Sequence, residues 1–279
     1  MILETAFIIK ALIIGLLTGL MSGCFGVGGG ILCTPLVRMF LNIDPHVAVG
    51  TTMALIIPTS VAGAFNYIKR KQFDQLMAAK LAPTAVLGTI AGAAATQYVE
   101  GQILMLLFAL LVCVAGVDLS FSIGENLKIQ REKETADKSG NDTEALQAAG
   151  DPQSAEGIGP YIVGLAAGLF AGFFGVGGGF LMVPCLLYFY RFSVKAAFGT
   201  SLIVIAAVSI PGTLSHFAMM HVDVPLALLM IASSIPGSLL GSALALKLKD
   251  SFLRRGFGVI MLIMSIVLAM RELLPSTPF

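Results

Sequence analysis

Two glycine runs hold the residues best suited to chemistry. The first is Gly26-Val27-Gly28-Gly29-Gly30, and the second is Gly175-Val176-Gly177-Gly178-Gly179. Each closes one apolar segment and opens another. Backbone that leaves a helix inside apolar surroundings must be satisfied by protein, water or ligand. Glycine allows positive φ and lets a ligand approach the main chain closely. Each run leads into a helix N-terminus, where free N–H groups and the helix dipole favour an anion. Hydroxyls of Thr34, Thr51, Thr52, Thr200 and Ser201 can add donors, and Lys80 can add charge. Together with Gly28, Gly29, Gly30, Gly177, Gly178 and Gly179 they form the candidate substrate-binding set. Its chemistry suits a small oxyanion such as sulfite, sulfonate or carboxylate.

Every member also has a purely structural reading. The glycine turns can be tight packing corners, and the hydroxyls can bond to their own helix backbones. Lys80 can snorkel to the membrane surface. Asp74 and Asp223 stand where helices begin and read as N-caps. Arg38 is expected at the outer surface. His216 and His221 lie near the same face as candidates for protonation rather than as ligands. The glycine runs lack the Lys and Ser/Thr of a phosphate-binding P-loop and the glycine spacing of a dinucleotide site. No Ser/His/Asp set and no metal-ligand cluster stands out.

The two runs belong to a long internal repeat. With a constant offset of 149 residues (172 minus 23), the chain aligns without a gap from Gly15/Gly164 to Gly92/Gly241. About 24 of those pairs are identical and nearly half of these are glycine, too many for a chance motif. The expected organisation is a first repeat over 1–123, a charged linker over 124–159 and a second repeat over 160–279. Gly15, Gly19 and Gly23, four residues apart, share one helix face and allow close helix packing.

Composition sets the environment. Of 279 residues, 57% are hydrophobic and only 12% are charged, with a mean hydropathy of +0.91. Soluble domains carry about 25% charge, so an all-α polytopic membrane protein is expected. A net charge of +1 gives no reason to expect a nucleic-acid partner. Cys24, Cys33, Cys113 and Cys185 lie in apolar segments without Cys-x-x-Cys spacing and read as buried, unpaired thiols. Apolar segments are expected near 4–25, 31–42, 46–68, 74–98 and 102–123, and again near 160–176, 180–192, 194–220, 224–247 and 251–273. The second segment of each repeat is too short to span a bilayer, so each repeat contains a broken helix.

Lysine and arginine placement predicts the orientation. Lys69-Arg70-Lys71, Arg191, Lys195 and the 247–255 stretch fall on one side when each repeat has five segments; Arg271 is the misfit. The linker then lies in the cytoplasm and the two repeats are inverted. At 1.5 Å per residue, the two glycine turns come within about 8 Å of each other in depth. Thr200 and Ser201 are then level with the first turn, Thr51 and Thr52 with the second, and Lys80 lies near the depth of the first.

The paired Phe-Gly-Val-Gly-Gly-Gly…Pro stretches ending at Pro35 and Pro184 resemble those of the TauE/SafE family, the sulfite-exporter-like membrane transporters. Ala48-Val49-Gly50-Thr51-Thr52 and Ala197-Phe198-Gly199-Thr200-Ser201 fit the same pattern, and the 124–159 linker departs from it. The resemblance implies a multi-pass carrier of the plasma (inner) membrane without a bound cofactor. Its substrate would be a small anion, sulfite or an organosulfonate, with H+ or Na+ as coupling ion. Export by alternating access around a site between the repeats is the leading expectation. The alternatives are import of a related organic anion, and a membrane redox or assembly partner using Cys24, Cys33 and Cys185. Direction and oligomeric state are left open.

Overall fold

The computed structural model describes residues 2–121 and 157–273. All ten helices expected from the sequence are present, with ends within a few residues of the expected ones. The first repeat comprises α1 (Ile2–Phe25), α2 (Gly30–Phe40), α3 (Pro45–Lys69), α4 (Gln75–Thr96) and α5 (Gly101–Phe121). The second comprises α6 (Gly159–Phe174), α7 (Gly179–Tyr188), α8 (Val194–Ala218), α9 (Val224–Ala245) and α10 (Asp250–Leu273). The linker expected at 124–159 lies outside the described residues apart from its last three positions. Among the described residues, six helices are long and apolar enough to cross a membrane. Large apolar side chains such as Phe65, Leu110, Leu214 and Leu240 face outward, as a lipid-facing surface requires.

Capping side chains place the helix starts. Asp44, Asp74, Ser193 and Asp223 each accept from backbone N–H groups in the first turn of the helix they precede. Such caps satisfy donors that would otherwise be left unpaired. The N-cap reading of Asp74 and Asp223 is thereby borne out.

Each repeat's first helix packs on the other repeat's fourth, through interlocking glycine ridges. A Cβ on Gly19 would collide with the Ser234 carbonyl oxygen, and one on Gly168 with that of Ala85. Neighbouring contacts advance in step: Gly15, Gly19 and Gly23 meet Met230, Ser234 and Ser238, so α1 and α9 run parallel. The equivalent pair, α6 and α4, meets through Gly164, Gly168 and Gly172 against Leu81, Ala85 and Thr89. Backbones this close gain dispersion contacts and weak Cα–H···O bonds that larger side chains would forbid. The third helices behave differently. Met53 meets Gly212, Gly63 meets Leu202 and Tyr67 meets Gly199, so α3 and α8 cross antiparallel.

Helix α10 measures the bundle. Near its start Arg254 donates to the Tyr188 hydroxyl at the end of α7, at 3.0 Å. Near its end Glu272 holds Arg38, close to the end of α2, at 2.9 Å. Eighteen helical residues separate Arg254 from Glu272, about 27 Å at 1.5 Å per residue. The short helices α2 and α7 therefore finish at opposite ends of the bundle while starting beside each other. Their starts are the glycine turns, which accordingly meet midway along it.

Arg38 differs from the expectation drawn from its position. Instead of simply reaching the surface, its guanidinium pairs with the buried Glu272 carboxylate and donates to the Ile43 carbonyl at 3.1 Å. Arg271 donates to Asn42 at 2.6 Å, which ties the end of α10 to the α2–α3 loop.

Candidate functional site

The two turns touch through equivalent residues. A Cβ on Gly30 would meet Val176, and one on Gly179 would meet Val27. Backbone conformation is repeated as well: φ is 74° at Gly28 and 77° at Gly177, 84° at Gly29 and 76° at Gly178. L-residues with side chains avoid this left-handed region, so the turn can be built only from glycine at little cost. Gly29 and Gly178 occupy the N-cap positions of α2 and α7 and have no side chain with which to cap them. Two positive helix ends thus meet inside the protein, each equivalent to about half an elementary charge.

The two hydroxyl pairs on α3 and α8 divide the work. Ser201 Oγ donates to the Gly26 carbonyl at 2.6 Å and so holds the first turn against α8. Its equivalent, Thr52, accepts from the Thr34 hydroxyl at 3.2 Å. Thr200 Oγ1 accepts from the Asp74 N–H at 2.9 Å, and Thr51 Oγ1 accepts from the Asp223 N–H at 3.0 Å. These last two bonds join α8 to the start of α4 and α3 to the start of α9, tying the repeats reciprocally. The first turn lies beside Phe198–Ser201 and the second beside Val49, as the depth argument placed them.

Lys80 is half-buried in the second turn of α4. Helical spacing sets it on the flank shared by the exposed Leu76 and Leu87. None of the atoms nearest to either glycine turn belongs to it. The structure thus gathers Gly28, Gly29, Gly30, Gly177, Gly178 and Gly179 at one crossing, with Ser201 on its wall. Thr34 and Thr52 bond each other, Thr51 and Thr200 serve as braces, and Lys80 stands outside this set.

Three residues absent from the sequence reading line the first turn. Thr18, Ser22 and Ser60 are fully buried; among the described residues none of their hydroxyls has an oxygen or nitrogen hydrogen-bond partner, and Thr18 has only the weak Cys33 thiol beside it. Thr18 and Ser22 adjoin Gly29, and the Ser60 hydroxyl lies 3.3 Å from a Cβ built on Gly28. Thr59, beside Ser60, reaches the Gly28 carbonyl at 3.3 Å. Buried polar groups are nearly always hydrogen-bonded, so three orphaned hydroxyls at one helix N-terminus require an explanation. Offset by 149, their equivalents are Ala167, Ala171 and Ser209. Ser209 bonds the Ile205 carbonyl at 2.7 Å, and Ala167 and Ala171 adjoin Gly178. At Thr18 and Ser22 the departure from the repeat was the available signal; at Ser60 the copies match in residue and differ in bonding.

A second asymmetric pair supports the turns. Tyr67 donates from its hydroxyl to the Gly23 carbonyl at 3.0 Å. At the equivalent place His216 Nε2 lies 2.9 Å from the Gly172 carbonyl. Both hold the last turn of the helix that leads into a glycine run. His216, His221 and His46 form a row, with ring centroids 6.0 and 5.2 Å apart. Among the described residues no three of His, Cys, Asp and Glu are placed to hold a metal ion. The four cysteines are free thiols, and Cys24 donates to the Gly241 carbonyl at 3.1 Å, a packing contact between α1 and α9.

Comparison with known proteins agrees with this architecture. The profile of the family described as Sulfite exporter TauE/SafE matches residues 11–268. A probable membrane transporter protein of Xylella fastidiosa (strain Temecula1) is 30% identical, over 92% of this chain and 93% of its own length. The probable membrane transporter protein YunE of Bacillus subtilis is 27% identical, over 92% of each. The probable membrane transporter protein MJ0441 of Methanocaldococcus jannaschii is 24% identical, over 87% and 88%. No solved structure matches the chain. These relatives are described as transporters, not enzymes, and the helices are those of a multi-pass membrane protein. The chain belongs to the TauE/SafE family of membrane transporters.

Proposed function

We propose that this protein is a secondary transporter of a small sulfur-containing oxyanion, sulfite or an organosulfonate, exported across the plasma membrane with H+ or Na+ as the coupling ion. The observation that carries the reading is the set of orphaned hydroxyls, Thr18, Ser22 and Ser60, around the uncapped N-terminus of α2. Hydroxyl donors and free N–H groups at a positive helix end are what a small desolvated oxyanion needs. Two uncharged kinds of donor also make release possible, because no fixed cation beside them would hold the anion too tightly. The family's own description names sulfite.

The site is centred on Gly28, Gly29 and Gly30, with Gly177, Gly178 and Gly179 forming the opposite wall. Ser201 holds the first turn through the Gly26 carbonyl, and Thr34 lies one helical turn along α2, bonded to Thr52. Lys80 would act on the anion from a distance or at the surface. Alternating access then amounts to rocking of one repeat against the other about the α3–α8 crossing. The antiparallel run of these equivalent helices supports repeats that are inverted in the membrane, with the 124–159 linker in the cytoplasm.

Uptake of labelled sulfite, sulfoacetate and taurine into vesicles holding the purified protein tests the reading. Saturable uptake of at least one, above protein-free vesicles, is expected. Uptake of none, with uptake of some cation or neutral solute instead, would refute it.

A further inference from the structure

A second feature lies at the Lys/Arg-rich end of the bundle. Between the end of α3, the start of α8 and the end of α9 is a cavity of about 510 Å³. Its polar wall is Asn66, Lys69, Arg70, Gln72, Lys195 and Lys247. Four cations and two amides line it, and among the described residues no carboxylate does. The Asp250 carboxylate lies 3.7 Å from the Lys195 ammonium. A liquid water occupies about 30 Å³, so the cavity has room for an oxyanion together with much of its hydration shell. Cations held around a concave, partly screened space raise the local concentration of anions.

The repeat provides an internal control. Offset by 149, the positions of Lys69, Arg70, Gln72, Lys195 and Lys247 are occupied at the other end by Ala218, Met219, His221, His46 and Tyr98. The backbone plan is the same, yet at these five positions permanent cations occur in the cavity and not in its counterpart. General solubility or lipid anchoring alone would not require them to converge on a cavity.

A relay of contacts also links the cavity wall to the first glycine turn. The Gln72 carbonyl packs against Gly199, whose neighbour Thr200 holds the Asp74 N–H and whose next residue Ser201 holds Gly26. Tyr67, next to the lining residue Asn66, bonds the Gly23 carbonyl just before that turn. Asn66 itself donates to the Ser242 hydroxyl at 2.8 Å, closing the cavity floor against α9.

We propose that this cavity is an oxyanion-binding vestibule that receives the anion before it reaches the first glycine turn. Its chemistry is that of a hydrated oxyanion held by several cations. Either a free sulfur oxyanion or the phosphate of an anionic lipid headgroup presents that group. The role in loading rests on the carrier reading above; the binding of an oxyanion here does not.

The test uses the full chain in nanodiscs. In zwitterionic phosphatidylcholine discs at low salt, sulfite binding is followed by calorimetry. In discs containing phosphatidylglycerol, lipid retained on the protein is followed by native mass spectrometry. The Lys69→Gln/Lys247→Gln variant is compared with Lys10→Gln/Arg255→Gln, which removes two cations exposed elsewhere. The cavity variant should weaken sulfite binding by about tenfold or more, while the control changes it by less than about twofold. Loss of retained phosphatidylglycerol in the cavity variant, with sulfite binding unchanged, would assign the oxyanion group to a lipid and remove the loading role. Equal behaviour of the two variants in both assays would overturn the vestibule. Ser22→Ala/Ser60→Ala should keep the cavity's binding, so failure of the vestibule and failure of the glycine-turn site are separately visible.

Discussion

The orphaned hydroxyls make a prediction opposite in sign to the usual effect of truncating a buried polar residue. Ser22 and Ser60 are fully buried and bond nothing among the described residues. A hydroxyl taken out of water without a partner costs about 1–3 kcal/mol. Removing it in Ser22→Ala or Ser60→Ala recovers that desolvation and leaves a void of only one oxygen. The substrate-free protein should therefore be as stable as the parent, or more stable by about 1 kcal/mol. Ser209 is the built-in comparison, because it occupies the position equivalent to Ser60 but donates to the Ile205 carbonyl at 2.7 Å. Ser209→Ala removes a satisfied hydrogen bond and should cost about 0.5–1.5 kcal/mol. At about 2–4 °C per kcal/mol for a chain of this size class, the variants should melt on opposite sides of the parent. Thermal unfolding in detergent without anion, read from intrinsic tyrosine fluorescence or a thiol dye, gives the order directly. A fall in melting temperature for Ser22→Ala and Ser60→Ala equal to that of Ser209→Ala would show that these hydroxyls have protein partners, and the reasoning would fail.

Other consequences can be measured in the same preparation. Tyr67→Phe removes the donor that holds the Gly23 carbonyl and should lower stability by about 1 kcal/mol without changing the fold, checked by melting temperature. Glu272→Gln strips the carboxylate from Arg38; a fully buried pair would lose about 3–5 kcal/mol, but Arg38 retains 22% exposure, so about 1–3 is expected. A second change, Arg38→Leu with Glu272→Leu, should recover part of that loss. His221, in the α8–α9 loop, faces His46, His216 and Asp44, and burial followed by the neighbouring His46 holds its imidazole below the usual histidine value. The folded chain then binds fewer protons than the unfolded chain, so stability should fall as pH drops below about 6.5. His221→Asn should flatten that slope in melting curves taken between about pH 7.5 and about pH 5.5, and an equally steep slope would contradict the assignment.

Much of this fold could be read from the sequence because the gene-level duplication leaves paired marks. Glycines that recur at a fixed offset are those whose missing side chains admit another backbone, as Gly19 against Ser234 and Gly168 against Ala85 show. The short second segments implied turns inside the bundle, and the structure makes those turns meet. Asp74 and Asp223 were readable as caps because capping is a local matter. What escaped was long-range or asymmetric. The partner of Arg38 is 234 residues away at Glu272, and no local spacing points to it. The hydroxyls of Thr51 and Thr200 looked available for a ligand, yet each accepts an N–H from the opposite repeat. Thr18 and Ser22 were passed over because attention fell on positions that match between copies, and both face alanine in the second copy. Ser60 matches Ser209 in sequence, and only the structure shows that the two bond differently. Lys80 drew attention as a charge in an apolar segment, but helical phase turns it toward the flank of Leu76 and Leu87.

Those hydroxyls also offer a cleaner probe than the glycines. Valine at Gly29 or Gly178 would be strained at φ of 84° or 76° and would collide with Thr18 or with the Ala167 carbonyl. Loss of transport in such variants could reflect damaged packing. The most direct test of the central claim is therefore initial uptake of labelled sulfite into proteoliposomes by the parent, by Ser22→Ala/Ser60→Ala and by Ser209→Ala. Two lost hydrogen bonds to a charged ligand, each worth about 1.5–3 kcal/mol, predict a fall in apparent affinity of about a hundredfold or more in the first variant. Ser209→Ala should remain within about threefold of the parent, because its hydroxyl stays on its own helix. Parent-like sulfite uptake by Ser22→Ala/Ser60→Ala, in protein that is inserted and folded, would contradict the assignment of the anion to the first glycine turn.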